Sequence, residues 1–247
     1  TRPCKTYHVA RPKRIQISVF MNRASYIHYK PRGVVFVISP WNFPLSIPFG
    51  EVVMALMAGN GVLIKPASRT PLIALKMAEL MREAGFDADL VRVIPGPGRM
   101  ASGVLERGDV NYVNFTGSTQ VGRKVAQIAG GRLIPSSMEL GGKDPAIVCA
   151  DANLGRAAKS VVWGAFANSG QVCASVERVY VMQSIYDAFV DRVVELTKAL
   201  RQGHPLEDPD VDMGSMTDRA QLEVVAQQVE DALERGARAL TGGRRSP

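Results

Sequence analysis

The sequence predicts an α/β protein: an open parallel sheet with helices on both faces, followed by part of a second α/β domain. Three observations carry this reading. Short apolar runs alternate with stretches of helical spacing, the pattern of consecutive βαβ units. At 247 residues the chain has room for one large domain or two moderate ones. Near residues 143–150 the pattern changes partner, and the later part is richer in long helices than in strands.

The elements follow in order. Val34–Ile38 reads as a buried strand, and Ile47–Met57 as a helix stopped by Gly59-Asn60-Gly61. Val62–Lys65 is the next strand. Thr70-Pro71 reads as an N-cap and first-turn proline, with Ile73, Met77, Leu80, Met81 and Ala84 at helical spacing up to Gly85. Val91–Ile94 and Tyr112–Phe115 are further strands. A helix is expected after Ser118 and a strand near Ala146–Cys149. Beyond Asp151 the spacing gives a helix near 153–168, a strand near 176–182, and helices near 184–201 and 217–236.

Composition narrows the function classes. Twenty-three glycines and fifteen prolines, spread along the chain and without a repeat, exclude collagen and low-complexity linkers. The net charge of +7 comes from 30 Lys and Arg against 23 Asp and Glu. The whole excess sits in residues 1–32, which hold Arg2, Lys5, Arg11, Lys13, Arg14, Arg23, Lys30 and Arg32 and no acid. No nucleic-acid motif accompanies these bases, so a solvated strand pair is expected there and no nucleic-acid partner. Residues 33–50 are uncharged, but Pro40, Pro44 and Pro48 make a membrane span implausible. Cys4, Cys149 and Cys173 show no metal spacing and leave an odd thiol, which suits a reducing cytoplasm; no metal is expected.

Several segments have chemistry available to them. Gly96-Pro97-Gly98-Arg99-Met100-Ala101 fits G-x-G-x-x-A after a strand. The dinucleotide fingerprint also needs a helix opening there and an acid ending the next strand, and Thr116-Gly117 supplies none. Phe115-Thr116-Gly117-Ser118-Thr119-Gln120-Val121-Gly122 lies where a strand gives way to a helix. It reads either as a phosphate cradle or as an ordinary N-cap. Cys173, in Ser169-Gly170-Gln171-Val172-Cys173-Ala174-Ser175, has small neighbours that give a thiol exposure, though a buried structural cysteine is the commoner fate. Cys149, in an apolar strand, fits that buried role better. Glu139, at a strand end before Gly141-Gly142, either faces a cleft or pairs with Lys143. Asn42, between Pro40 and Pro44, is either an oxyanion donor held by a rigid bend or a turn asparagine.

Taken together, Ser39-Pro40-Trp41-Asn42-Phe43-Pro44, Lys65-Pro66-Ala67-Ser68, Phe115-Thr116-Gly117-Ser118, Glu139-Leu140-Gly141-Gly142-Lys143 and Gly170-Gln171-Val172-Cys173 resemble the aldehyde dehydrogenase superfamily in order and spacing, from about residue 15 onward. The resemblance implies a basic β-hairpin or oligomerisation segment over 1–32, a Rossmann-like dinucleotide-binding domain over 33–145, and an incomplete catalytic domain over 146–247. It implies oxidation of an aldehyde to a carboxylic acid with NAD or NADP, through a cysteine thiohemiacetal and thioester. Cys173 would be the nucleophile, Asn42 an oxyanion donor and Glu139 the base for deacylation. Ile38, Pro40, Trp41, Lys65, Ser68, Gly98, Phe115, Gly117, Ser118, Val121, Leu140 and Gly141 would border the cofactor. The partners implied are a small-molecule aldehyde and, in the full-length enzyme, further copies of the chain.

Three departures qualify the resemblance. NAD-preferring members commonly place glutamate three residues after the lysine; here Ser68, beside Arg69, removes a repulsion against a 2′-phosphate, so NADP is expected to be accepted. Some semialdehyde-oxidising relatives place arginine where Gly50 stands, so a neutral aldehyde is expected. The family's chains extend beyond this one at both ends, so a fragment, inactive alone, is expected. The rival reading is a non-catalytic dinucleotide-binding remnant.

Overall fold

A computed structural model of the protein describes residues 29–245. The chain divides into two compact units, Thr1–Leu140 and Gly141–Pro247. Positions 1–28 of the expected basic hairpin lie outside the described residues.

The first unit runs β1 (Val34–Ile38), α1 (Ser46–Met57), β2 (Gly61–Lys65), α2 (Pro71–Glu83), β3 (Val91–Val93), α3 (Gly98–Arg107), β4 (Tyr112–Gly117), α4 (Thr119–Gly131) and β5 (Ser136–Leu140). The strands form one sheet in the order β3-β2-β1-β4-β5, every pair parallel. β1, at the centre, shows why its sequence is an unbroken apolar run. Val35 and Val37 pack with Val52 of α1 and Met77 of α2, whereas Phe36 and Ile38 pack with Leu105 of α3 and Val125 of α4. Successive side chains enter opposite layers, and both layers are covered. This is the expected Rossmann-like arrangement of helices on both faces.

Side-chain amides tie the chain into the start of the sheet. Asn60, buried between α1 and β2, accepts from the backbone N–H groups of Arg32 and Gly33 at 2.7 and 3.1 Å and donates to the Ala55 carbonyl at 3.0 Å. Asn111 accepts from the N–H of Val34 at 2.7 Å.

The second unit runs β6 (Asp144–Val148), α5 (Leu154–Phe166), a 3-10 turn (Ala167–Gly170), β7 (Val176–Val181), a second short turn (Gln183–Ile185), α6 (Tyr186–Lys198) and α7 (Arg219–Glu234). β6 and β7 pair in parallel, and Val148, Ala158, Val161 and Phe189 form the buried core. Among the described residues, no helix is long and apolar enough to cross a membrane.

Four sequence expectations need correcting. α3 was not anticipated, because Gly96-Pro97-Gly98 reads as a loop; its buried face is only Ala101 and Leu105, one turn apart. In α2 the buried residues are Ala74, Met77 and Met81, while Ile73 and Leu80 are 41% and 51% exposed, so the helix is rotated from the expected face. Thr70 precedes α2, but its side chain makes no capping bond; Pro71 at the first position has no N–H to satisfy. Cys149 is exposed rather than buried, because β6 ends at Val148 and the chain turns outward.

Candidate active site

In a parallel α/β sheet, ligands bind beyond the carboxyl ends of the strands, where neighbouring crossovers diverge to opposite faces. In the first unit that point lies between β1 and β4: the α1 crossover covers one face of the sheet, and α3 and α4 cover the other. The same edge gathers most of the residues singled out from sequence. Ile38 and Lys65 end β1 and β2 as register partners, and Ile38 also pairs with Phe115 on β4. Glu139 and Leu140 end β5 beside Thr116 and Gly117.

The bend after β1 holds Pro40, Trp41 and Asn42, all half-buried except the more deeply placed Pro40. The Arg69 guanidinium lies over the Trp41 ring, 5.2 Å from its centroid, so the arginine expected beside a 2′-phosphate is stacked on the bend that precedes α1. Ser68 donates its hydroxyl proton to the Gly96 carbonyl at 2.9 Å, joining the loop after β2 to the loop after β3. Gly98 opens α3 with no atom near the position of a Cβ.

Lys65 is 5% exposed, and its ammonium donates to the Pro66 carbonyl at 2.8 Å. Burial disfavours its charged form and pushes its pKa below the usual lysine range. Ser118 caps α4: its hydroxyl accepts from the Val121 N–H at 3.4 Å, so the N-cap role is filled. Gly117 and Gly122 lie against Phe115; a Cβ on Gly122 would sit 2.5 Å from a Leu140 methyl and 3.2 Å from the Phe115 ring. Glycine is therefore what allows α4 to start this close to β4 and β5.

Glu139 is exposed. Lys143, its alternative partner from sequence, instead pairs with Glu177 at 3.5 Å within the second unit. The residue that sequence reasoning missed is Glu51 on α1. It is 8% exposed, and one carboxylate oxygen accepts from the Thr116 hydroxyl at 3.2 Å. Burial pushes its pKa up to about 7; the Thr116 hydrogen bond opposes that shift and the nearby Glu139 charge adds to it. The signal was present in the helical spacing, since Pro48, Glu51, Val52 and Ala55 share the buried face of α1.

Gly141 and Cys173 belong to the second unit. Cys173 is exposed, in a turn closed by the Ser175 N–H donating to the Val172 carbonyl at 3.1 Å. The approach to that turn is strongly determined. Asn168, Ser169 and Gly170 are three successive residues with positive φ, of 51°, 58° and 73°. For the two non-glycine residues this conformation is uncommon and must be held by its surroundings. Ser169 donates to the Gly214 carbonyl at 2.8 Å. The Gln171 side chain donates to the Asn168 carbonyl at 3.1 Å and accepts from the Thr217 N–H at 2.9 Å. Beyond the cysteine, Ser175 is buried and donates to the Gly164 carbonyl at 3.2 Å.

The chain is also similar to known proteins. A model of the aldehyde dehydrogenase family matches residues 5–247. A putative NADP(+) succinate-semialdehyde dehydrogenase of Mycobacterium tuberculosis is 43% identical over 219 residues, 89% of this chain and 42% of its own. An alpha-ketoglutaric semialdehyde dehydrogenase of Bacillus subtilis is 41% identical over 86% of this chain and 44% of its own. The NAD+ complex of an aldehyde dehydrogenase from Bacillus cereus superposes with a TM-score of 0.90 at 33% identity, covering 96% of this chain and 48% of that one. The chain thus spans less than half the length of these relatives. With its five-stranded parallel sheet and its ordered motifs, the chain belongs to the aldehyde dehydrogenase family.

Proposed function

We propose that the protein carrying these residues oxidises an aldehyde to the carboxylic acid with NAD or NADP, using Cys173 as nucleophile. The observation that carries this reading is the cysteine turn: an exposed thiol on a backbone fixed by three left-handed residues and by the Ser169, Gln171 and Ser175 hydrogen bonds.

The first unit fits a dinucleotide. The Lys65 ammonium has three protons and one of them goes to Pro66, which leaves donors for ribose hydroxyls. Ile38, Pro40, Trp41, Ser68 and Gly98 would line the adenosine side, and Phe115, Gly117, Ser118, Val121, Leu140 and Gly141 the pyrophosphate and nicotinamide side. When bound, the cofactor accepts the hydride. Ser68 places no carboxylate against a 2′-phosphate, so NADP is accepted.

The Cys173 thiolate adds to the aldehyde carbon, and the Asn42 amide and the Cys173 N–H donate to the oxyanion. One oxyanion donor typically contributes about 3 kcal/mol. Loss of hydride leaves a thioester on Cys173. Glu139 then takes a proton from water, hydroxide adds to the thioester carbon, and the sulfur leaves as thiolate. α1 carries no cation, so a substrate carboxylate finds no anchor there, and a neutral aldehyde is the preferred class.

Rapid mixing of the full-length protein with cofactor and aldehyde tests the mechanism. Wild type should turn over repeatedly. Cys173→Ala should bind cofactor but release no reduced cofactor. Glu139→Gln should give one burst per site and then slow turnover. Repeated turnover by Cys173→Ala overturns the nucleophile assignment, and cofactor binding without any burst in wild type favours the non-catalytic reading. Comparing succinate semialdehyde with neutral aldehydes of similar length tests the substrate class.

A further inference from the structure

Glu51 is a buried carboxyl that the mechanism above leaves unused. Side chains alternate along β4: Val113 and Phe115 enter the layer of α3 and α4, while Tyr112 packs into the layer of α1 and α2. Thr116 therefore belongs to the α1 side, where its hydroxyl meets Glu51. Thr116 and Glu139 are direct register partners in parallel strands, so their side chains leave the sheet on the same face. Glu51, Thr116 and Glu139 thus form a row across the carboxyl end of that face. The row is incomplete: the second oxygen of Glu51 is buried and has no hydrogen-bond partner. A buried carboxylate oxygen without a donor is costly, and binding a proton there relieves the cost.

We propose that Glu51 is the proton acceptor behind Glu139, so that the proton Glu139 takes from the deacylating water moves on across the Thr116 hydroxyl to Glu51. The inference rests on the proposed function and deepens it. The water O–H bond breaks as the Glu139 O–H bond forms; that bond breaks as the Thr116 oxygen takes the proton, while the Thr116 hydroxyl proton passes to the Glu51 oxygen it already meets. Glu139 is again a carboxylate, and Glu51 is neutral. After the product leaves, the proton returns through exposed Glu139 to solvent. Glu51 acts only through Glu139 and is a positioning residue for deacylation.

The surroundings suit a group that changes protonation state near neutrality. Among the strands beneath α1, β1 carries no charge, and the only charge on β2 is Lys65, which by alternation belongs to the opposite layer with Leu63. Tyr112, at the far end of β4, stacks under Arg32 at 5.3 Å. Glu139 on β5 is the charged group that acts on Glu51, and Thr116 is its hydrogen-bond donor.

The test is the pH profile of the full-length protein carrying Glu51→Gln. Glutamine keeps the Thr116 bond and the volume but accepts no proton. Wild-type steady turnover should rise through a step near pH 7, the value to which burial pushes Glu51. In the variant that step should vanish and turnover stay at the low-pH level, with cofactor affinity and the size of the first burst unchanged. A variant profile that superposes on wild type overturns the proposal. Should the variant fail to fold, carboxyl infrared difference spectra of wild type decide: a protonated carboxyl must titrate near pH 7 and shift in Glu139→Gln, and its absence overturns the proposal. Failure of the underlying function would look different, as wild type would then give no burst at all.

Discussion

Within the described stretch of chain, the two units bury their strands differently. In the first, the central strand is sandwiched, and Phe36, Val37, Ile64 and Val113 have no exposed surface. In the second, β6 and β7 bury one face only. Val148 and Val181 pack toward α5 and α6, while their neighbours Ile147 and Tyr180, register partners, are 75% and 55% exposed. α7 has no buried residue. The first unit is held by apolar contact and can keep a charged edge in order. The second holds its key turn by hydrogen bonds, through Ser169, Gln171 and Ser175, rather than by a deep core.

The contrast is broken most sharply by paired truncations. Phe36→Ala should cost about 3–5 kcal/mol, because it empties a fully buried site in the central strand. Trp163→Ala, at a side chain 76% exposed, should change stability by no more than about 0.5 kcal/mol. Denaturant unfolding, with hydrogen exchange to assign each transition, measures both; equal losses would mean that the two units share one core.

The next effect belongs to Glu51. Its folded pKa of about 7 lies above its ordinary value of 4.5, so the folded state holds the proton more tightly. The resulting stability is fully present below about pH 4.5 and is lost as pH rises through about 7. The shift corresponds to at most about 3 kcal/mol. Glu51→Gln should flatten that part of the stability profile of the first unit; an unchanged slope between pH 5 and 8 would place its origin elsewhere.

The smallest effect sharpens the comparison at a single cap. Ser118→Ala removes one bond to the α4 N-terminus, and because that bond is 3.4 Å long the cost should be about 0.5–1 kcal/mol, read from the unfolding midpoint. A larger loss would show that Ser118 also supports the strand ends around Gly117.

What could be read from the sequence follows the same division. The strands of the first unit were legible because a doubly buried strand is an unbroken apolar run, as in Val34–Ile38. The motif residues at its carboxyl edge were legible because they end those runs. α3 was not, since its glycine-rich start hides a helix whose buried face is two residues. The rotation of α2 was not, since Leu72, Ile73 and Leu75 look as apolar as the buried Ala74. In the second unit the position of Cys173 was legible, but its support was not: the left-handed backbone at Asn168 and Ser169 is set by partners as distant in sequence as Gly214 and Thr217. Glu51 escaped notice because a lone charge in an apolar helix is ordinarily placed on the wet side.

The order of elements also has a consequence for biosynthesis. Among the described residues, the ladder β3-β2-β1-β4-β5 draws its strands from residues 34–140, all translated before Cys173. Domains emerging from a ribosome generally fold as units, amino-terminal ones first. The sheet can therefore begin to form before Cys173, the proposed nucleophile, leaves the ribosome.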